Sequence, residues 1–293
     1  MVGTCNGLIC LHDTGDSDNP VITVANPVTG EAAAVLPPLP ATLNSSKFGR
    51  YRFGYHPTTG QYKVVHIPCP HASRQDAVYV LTLGGGGGGG PAAAWREVAL
   101  PAMARGRNPF CGVVDVDGST YWFTLRCDRV VALDLGDDER VTSFRSPPAA
   151  MCVEEASCML TSVHARLGIA VPCHEPAART IEVWVLDGEG GGGEQRRWSR
   201  RHRLIEAGAM GNRNGIVFEP QLTHGEYILS TSPDGKRLYR RKVRGGTDVE
   251  DGRALPLQPS EGAELIMSEL SASVCLRTFA YAETREPVPI VGG

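Results

Sequence analysis

Two short stretches concentrate the positive charge of this chain. Arg196-Arg197-Trp198-Ser199-Arg200-Arg201-His202-Arg203 interleaves five arginines with an aromatic residue. That pattern suits phosphate neutralisation with base stacking, or a localisation signal. It equally suits a solvated outer strand, where repeated charge discourages edge-to-edge pairing. Lys236-Arg237-Leu238-Tyr239-Arg240-Arg241-Lys242-Val243-Arg244 reads in the same two ways. If both runs fell on one face, they would suit an acidic partner.

Metal-ligating residue types gather at Cys69-Pro70-His71, with His66 nearby, and at Cys173-His174-Glu175. Neither stretch has the paired spacing of a zinc site, so no metal is expected. The run Gly84 to Gly90 satisfies a G-x-G-x-x-G pattern, as any glycine run does. Pro91-Ala92-Ala93-Ala94 follows it with no Lys-Ser/Thr to meet a phosphate, which excludes a nucleotide loop on context. There is no G-x-S-x-G and no H-E-x-x-H. Aspartates and glutamates fall mostly in turns, where they serve the local backbone. The expectation is no catalytic, cofactor-binding or metal-binding residue set.

The elements that would have to position any site are short and numerous. The 293 residues carry 35 Gly and 21 Pro, scattered between apolar runs, with 42% hydrophobic content. Such frequent breakers leave little room for long helices, and the hydrophobic content argues against wholesale disorder. The net charge of −3 supplies no global field toward nucleic acid or anionic lipid. No run approaches the roughly eighteen apolar residues of a membrane span, and no signal peptide opens the chain. Nine Cys, an odd number without C-x-x-C, suit free thiols in a reducing compartment. Asn44-Ser45-Ser46 matches a glycosylation acceptor without other signs of export. The expected location is cytoplasm, nucleus or both.

A strand grammar recurs along the chain. Gly3 to Leu11 reads as one short apolar strand, Val21 to Ala25 as a second and Ala34 to Leu36 as a third. Asn26-Pro27-Val28-Thr29-Gly30 is the turn between the last two. Phe53 to Ile67 reads as a hairpin, in which His56-Pro57-Thr58-Thr59-Gly60 repeats that turn with one polar residue exchanged. Val78 to Leu83 and Trp95 to Val98 complete the cycle around the glycine run.

A further cycle runs Cys111 to Val114, Ser119 to Thr124, Arg129 to Leu135 and Arg140 to Phe144, with Asp117-Gly118 as a hairpin signal. Another runs from Met159 to Val171 and from Thr180 to Asp187, then through the glycine-rich loop 188–193 to Trp198. A weaker one covers Gly215 to Phe218, Glu226 to Ser230, the Pro233-Asp234-Gly235 turn and Arg237 to Val243. Val274 to Tyr281 is a last strand, able to complete the first unit by pairing near Cys5 to Leu11.

A unit of about 45–55 residues with about four strands has the size of a propeller blade. Val78 to Leu83 and Val130 to Leu135 are almost continuously apolar, as sheets covered on both faces require, whereas a two-layer sandwich would alternate. The fold expected is all-β, a propeller-like array of about five to six four-stranded blades, forming one domain over residues 1–293. Trp95, Trp122, Trp184 and Trp198 are then packing residues between blades, with ligand stacking as the other reading.

Several phrases also carry a family resemblance: Cys5-Asn6-Gly7-Leu8, Asn26-Pro27-Val28-Thr29-Gly30, Leu36-Pro37-Pro38, Phe53-Gly54-Tyr55, Tyr62-Lys63-Val64-Val65, Trp95-Arg96 and Ile181-Glu182-Val183-Trp184-Val185-Leu186. In order and spacing they resemble the F-box-associated domain, type 3-like and kelch-like, of plant F-box proteins. The resemblance implies a protein-interaction domain, the substrate-recognition part of a cullin-type (SCF) ubiquitin ligase, with a protein substrate as partner. In that family an F-box helix bundle grips a Skp1-type adaptor.

No helical, Leu-Pro-rich F-box precedes residue 3. This leaves two readings, a fragment or a protein without the adaptor-binding module, and makes adaptor binding conditional on an F-box supplied otherwise. His56 stands where the family usually has Asp. The expected binding elements are loops Asp13 to Asn19, Asn44 to Arg50, Arg105 to Pro109 and Asn212 to Asn214, each of which also reads as a solvated connector. The alternative function is a propeller hydrolase or lyase acting on a small molecule or glycan, and a minor one is RNA binding through the basic runs. No membrane or nucleic-acid partner is expected.

Overall fold

In the computed structural model, the described residues are 2–13, 21–36, 50–68, 76–83, 95–108, 111–152, 158–175, 178–187, 196–206, 219–224, 227–231, 238–242, 263–267, 283–285 and 287–288. They form five four-stranded antiparallel sheets, each a simple meander in chain order. Sheet 1 comprises β1 (Gly3–Cys5), β2 (Leu8–Asp13), β3 (Val21–Ala25) and β4 (Ala32–Leu36). Sheet 2 comprises β5 (Arg50–His56), β6 (Gln61–Ile67), β7 (Ala77–Leu83) and β8 (Arg96–Ala99). Sheet 3 comprises β9 (Val113–Val116), β10 (Ser119–Phe123), β11 (Arg129–Asp134) and β12 (Val141–Arg145). Sheet 4 comprises β13 (Met159–Val163), β14 (Arg166–Glu175), β15 (Ala178–Leu186) and β16 (Trp198–Glu206). Sheet 5 comprises β17 (Glu219–His224), β18 (Tyr227–Thr231), β19 (Leu238–Lys242) and β20 (Ala263–Met267). The all-β, propeller-like array read from the sequence is therefore the fold.

The chain divides into two compact units. One holds Met1–Pro109, Val113–Ser143 and Phe279–Gly293, and the other Phe110–Gly112 and Phe144–Thr278. In the first unit, sheet 2 is covered on both faces. Phe53, Tyr62, Val64, Leu81 and Leu83 join Val2, Leu8, Cys10, Ile22 and Val24 of sheet 1 in one core. Val65, Ile67, Val78 and Val80 point the other way, into a second core with Val113, Trp122, Val131, Leu133 and Leu135 of sheet 3. Strand side chains alternate between faces, so two covered faces require the unbroken apolar run seen in β7.

The first cycle departs from its expected three strands. Gly3 to Leu11 is not one strand but a hairpin, β1 paired to β2 with Cys5 opposite Leu8. Its two-residue turn places Asn6 at φ 47° and Gly7 at φ 75°. Asn-Gly is the favoured pair for such a turn, because both central residues need positive φ.

The last cycle also shifts. Its first strand is Glu219–His224 and its fourth is Ala263–Met267, which the sequence reading did not single out. Gly215 to Phe218 and Val274 to Tyr281 lie outside the described residues. The chain nonetheless returns to sheet 1 near its end. Asn26 Nδ2 donates to Thr284 O at 3.2 Å, the Val288 amide donates to Glu31 Oε2 at 3.2 Å, and Val288 is buried in the core of sheets 1 and 2.

Candidate functional site

In an antiparallel meander, connections after odd-numbered strands leave one end of the sheet, and those after even-numbered strands leave the other. The odd connections are mostly compact turns. In sheet 1, Asn26 Oδ1 accepts from the amides of Val28 (2.9 Å) and Thr29 (3.3 Å), while Gly30 N returns to Asn26 O at 3.0 Å. In sheet 2, His56 Nδ1 accepts from the Thr59 amide at 3.2 Å, and Gly60 N returns to His56 O at 2.9 Å. The imidazole thus does the work of the asparagine amide, and the exchange of one polar residue keeps the turn. With Nδ1 accepting, Nε2 carries the proton and lies 3.5 Å from Asp134 Oδ1.

The turn ends of sheets 2 and 3 are locked together. A Cβ on Gly118 would come within 2.7 Å of His56 and 2.9 Å of Pro57. Lys63 Nζ, on β6, donates to Gly136 O and to Glu139 Oε1, both at 2.9 Å, in the turn between β11 and β12. Arg96 reaches the same Glu139 oxygen at 2.6 Å from the solvent side. On the inner strands, a Cβ at Gly54 would stand 2.6 Å from Leu135 and 3.8 Å from Asp115 Oδ1, so glycine there admits both side chains.

The phrases that carried the resemblance therefore build the scaffold. Gly7 and Gly30 make turns, Gly54 makes room, Tyr62 stacks on Phe53 at 5.7 Å, and Lys63 and Arg96 share one carboxylate. Glu182 takes Trp184 Nε1 at 3.1 Å and Arg200 at 2.7 Å. Of the four tryptophans, Trp122 is fully buried and Trp95, Trp184 and Trp198 are half-buried. Each described indole contact is a packing or scaffold contact.

All four loops expected to bind follow even-numbered strands: β2, β4, β8 and β16. Both glycine-rich loops, 84–90 and 188–193, follow odd ones. Most residues of the four loops lie outside the described set. Arg105 to Asn108 is described, and it corrects the expectation in part. Arg107 and Asn108 are buried: Arg107 bridges to Thr124 through its backbone, and Asn108 Nδ2 donates to Leu125 O at 3.2 Å. Arg105, in contrast, is exposed.

Beneath the same end of the first unit lies a polar-aromatic row. Tyr51 packs between His12 (4.5 Å between centroids) and His66 (4.8 Å), and His66 meets Tyr79 across the strands. Burial, and then the neighbouring His12 and Arg107, push His66 down to about 4, so it stays neutral at physiological pH. Burial pushes the Tyr51 hydroxyl up to about 12. Cys69 and His71 lie outside the described residues. Cys173 Sγ contacts Val171 O at 3.8 Å, and the described residues contain no group of three metal-ligating side chains.

Chemically reactive groups are restrained elsewhere as well. Cys5, Cys10, Cys111, Cys127, Cys158 and Cys173 are free thiols. Burial pushes the Cys5 and Cys10 thiols up to about 12, which removes the thiolate a nucleophile needs. Asp115 is also pushed up by burial, against the opposing pull of Arg52 and a 2.7 Å hydrogen bond from Thr120 Oγ1.

The basic runs separate. Arg196 to Arg203 enters β16, the outer strand of sheet 4, as the solvated-strand reading expects. Lys236 to Arg244 supplies β19, an interior strand between β18 and β20, with Leu238 buried.

Among solved structures, two matches at low identity illustrate the similarity. A periplasmic gluconolactonase from Pseudomonas aeruginosa is 14% identical over 94% of this chain and 70% of its own, with a TM-score of 0.45. A PQQ-bound aldose sugar dehydrogenase from Streptomyces coelicolor is 13% identical over 91% of this chain and 83% of its own, with a TM-score of 0.40. No curated protein sequence matches the chain significantly. The sequence profile of the F-box associated beta propeller domain, a protein-interaction module, matches residues 1–239. With that match laid over most of the chain and its signature residues found in the turns and cores, this protein belongs to the F-box associated beta propeller domain family.

Proposed function

We propose that the chain is the substrate-recognition part of an F-box-type receptor, delivering a bound protein to a cullin-based ubiquitin ligase. The supporting observation is a division of labour. The family residues are spent on strands, short turns and inter-sheet locks, while the connections after even-numbered strands carry few of them. A rigid scaffold with variable connections suits recognition of a protein surface. The test is affinity capture with the full chain as bait. Recovery of a Skp1-type adaptor and cullin with a co-captured target supports the reading. Capture of a target without the ligase subunits reduces the reading to a bare binding module, and hydrolysis of a small ester or glycan by the pure chain overturns it.

A further inference from the structure

We infer that the Asp187 side of β16, where Arg197 and Arg201 meet Arg166 of β14, is a docking surface for an acidic protein segment, recognised through its carboxylates. The strand ends sheet 4, and Arg197 and Arg201 are exposed on its Asp187 side, whereas Arg200, paired with Trp184, projects from the opposite face. Arg166 joins Arg197 and Arg201 from β14. One carboxylate, Asp187, serves three guanidiniums: Arg201 at 3.3 Å, Arg166 at 3.8 Å and Arg197 at 3.8 Å, with the Ser199 hydroxyl donating to it as well. A second, Glu182, takes Arg200 at 2.7 Å. Arg196 lies 4.5 Å above the Phe144 ring. On the Asp187 side three guanidiniums therefore share one carboxylate, on a chain whose net charge is −3. The geometry of this cluster already accommodates a carboxylate.

Two features select the partner. The indole of Trp198 is committed: its Nε1 donates to Arg145 O at 3.0 Å and its ring packs on Phe144 at 6.1 Å. A single ring held in this way does not supply the successive stacking platforms of a single-strand RNA groove, which disfavours RNA. The strand is also bulged, because Arg200 pairs with Trp184 and His202 with Val183, leaving Arg201 as the extra residue. A bulged, like-charged edge resists addition of another strand. Recognition falls instead to the arginine side chains, whose forked donors match carboxylates.

The probe is a labelled peptide of alternating Glu and Ser, with its Gln counterpart and a single-stranded RNA of equal charge as comparisons, titrated against the full chain. The acidic peptide should bind, the Gln peptide should not, and added salt should weaken binding steeply. Arg197→Glu with Arg201→Glu should lower affinity at least about tenfold, while Arg126→Glu, an exposed arginine elsewhere, should leave it unchanged. Asp187→Asn removes the internal competitor and should raise affinity severalfold, an effect that a purely structural role for these arginines does not produce. Equal binding of the Glu and Gln peptides, tighter binding of RNA, or weaker binding by the Asp187→Asn chain overturns the inference.

Discussion

Lys63 Nζ lies 2.9 Å from Glu139 Oε1, and the two side chains are 1% and 2% exposed. An ion pair this deep ties sheet 2 to the β11–β12 turn of sheet 3. Removing one partner leaves a desolvated charge behind. Lys63→Met should therefore cost about 3 kcal/mol, the scale of a broken buried pair, with Arg96 remaining on the carboxylate. Urea unfolding measures it, and Glu139→Gln added to Lys63→Met should recover part of the loss. Additive losses would show that the two residues do not act as a pair.

Gly118 presents a simpler case. At φ 70° it sits in the left-handed region, and a methyl group there would collide with His56 and the rigid ring of Pro57. Gly118→Ala should cost about 2 kcal/mol or more, from backbone strain and overpacking together. Gly30→Ala makes the contrast, since its φ is 73° but nothing stands within 4 Å. It should cost about 1 kcal/mol. Equal losses at the two sites would show that the packing of the two turns contributes nothing.

His66 makes stability depend on pH. Its folded value of about 4 lies below the 6.5 of the unfolded chain, so between these values the unfolded state binds the extra proton. The stability is fully present above pH 6.5 and falls as pH drops toward 4. The share lost between pH 7 and pH 5 is about 2 kcal/mol. The neighbouring His12 and Arg107 add to the penalty for protonation. His66→Gln should flatten this slope by that amount in chemical denaturation at the two pH values. An unchanged slope would mean that the imidazole titrates freely in the folded protein.

Much of this architecture is written in local chemistry. Asp117-Gly118, Pro57 to Gly60 and the continuous apolar run of β7 announce hairpins and a sheet covered on both faces. Asn6-Gly7 is just as clear a turn signal, but the apolar residues on either side of it also read as one continuous strand. The hairpin at His164-Ala165 turns with φ of 48° and 56° without any glycine, so nothing in its composition marks both positive angles. Ala263–Met267 was obscured by the distance from its partner β19.

The site is less legible than the fold, because it depends on pairs remote in sequence. Arg107 looks like an exposed loop residue until Thr124 is beside it. Lys63 looks like a solvated strand residue until Glu139 arrives from a turn 76 positions away. The arginines of β16 are conspicuous in sequence, yet their sharing of Asp187 is visible only in three dimensions.

The central claim is that partners are read by the connections after even-numbered strands and not by the glycine-rich ones. The direct measurement is quantitative affinity capture with three chains: the intact protein, one with residues 14–19 and 44–49 replaced by Gly-Ser sequence, and one with 84–90 shortened. The account predicts that a specific target is retained by the intact and shortened chains and lost from the doubly replaced one, with all three equally stable to heat. Equal capture by all three, or loss on shortening 84–90 alone, would contradict it.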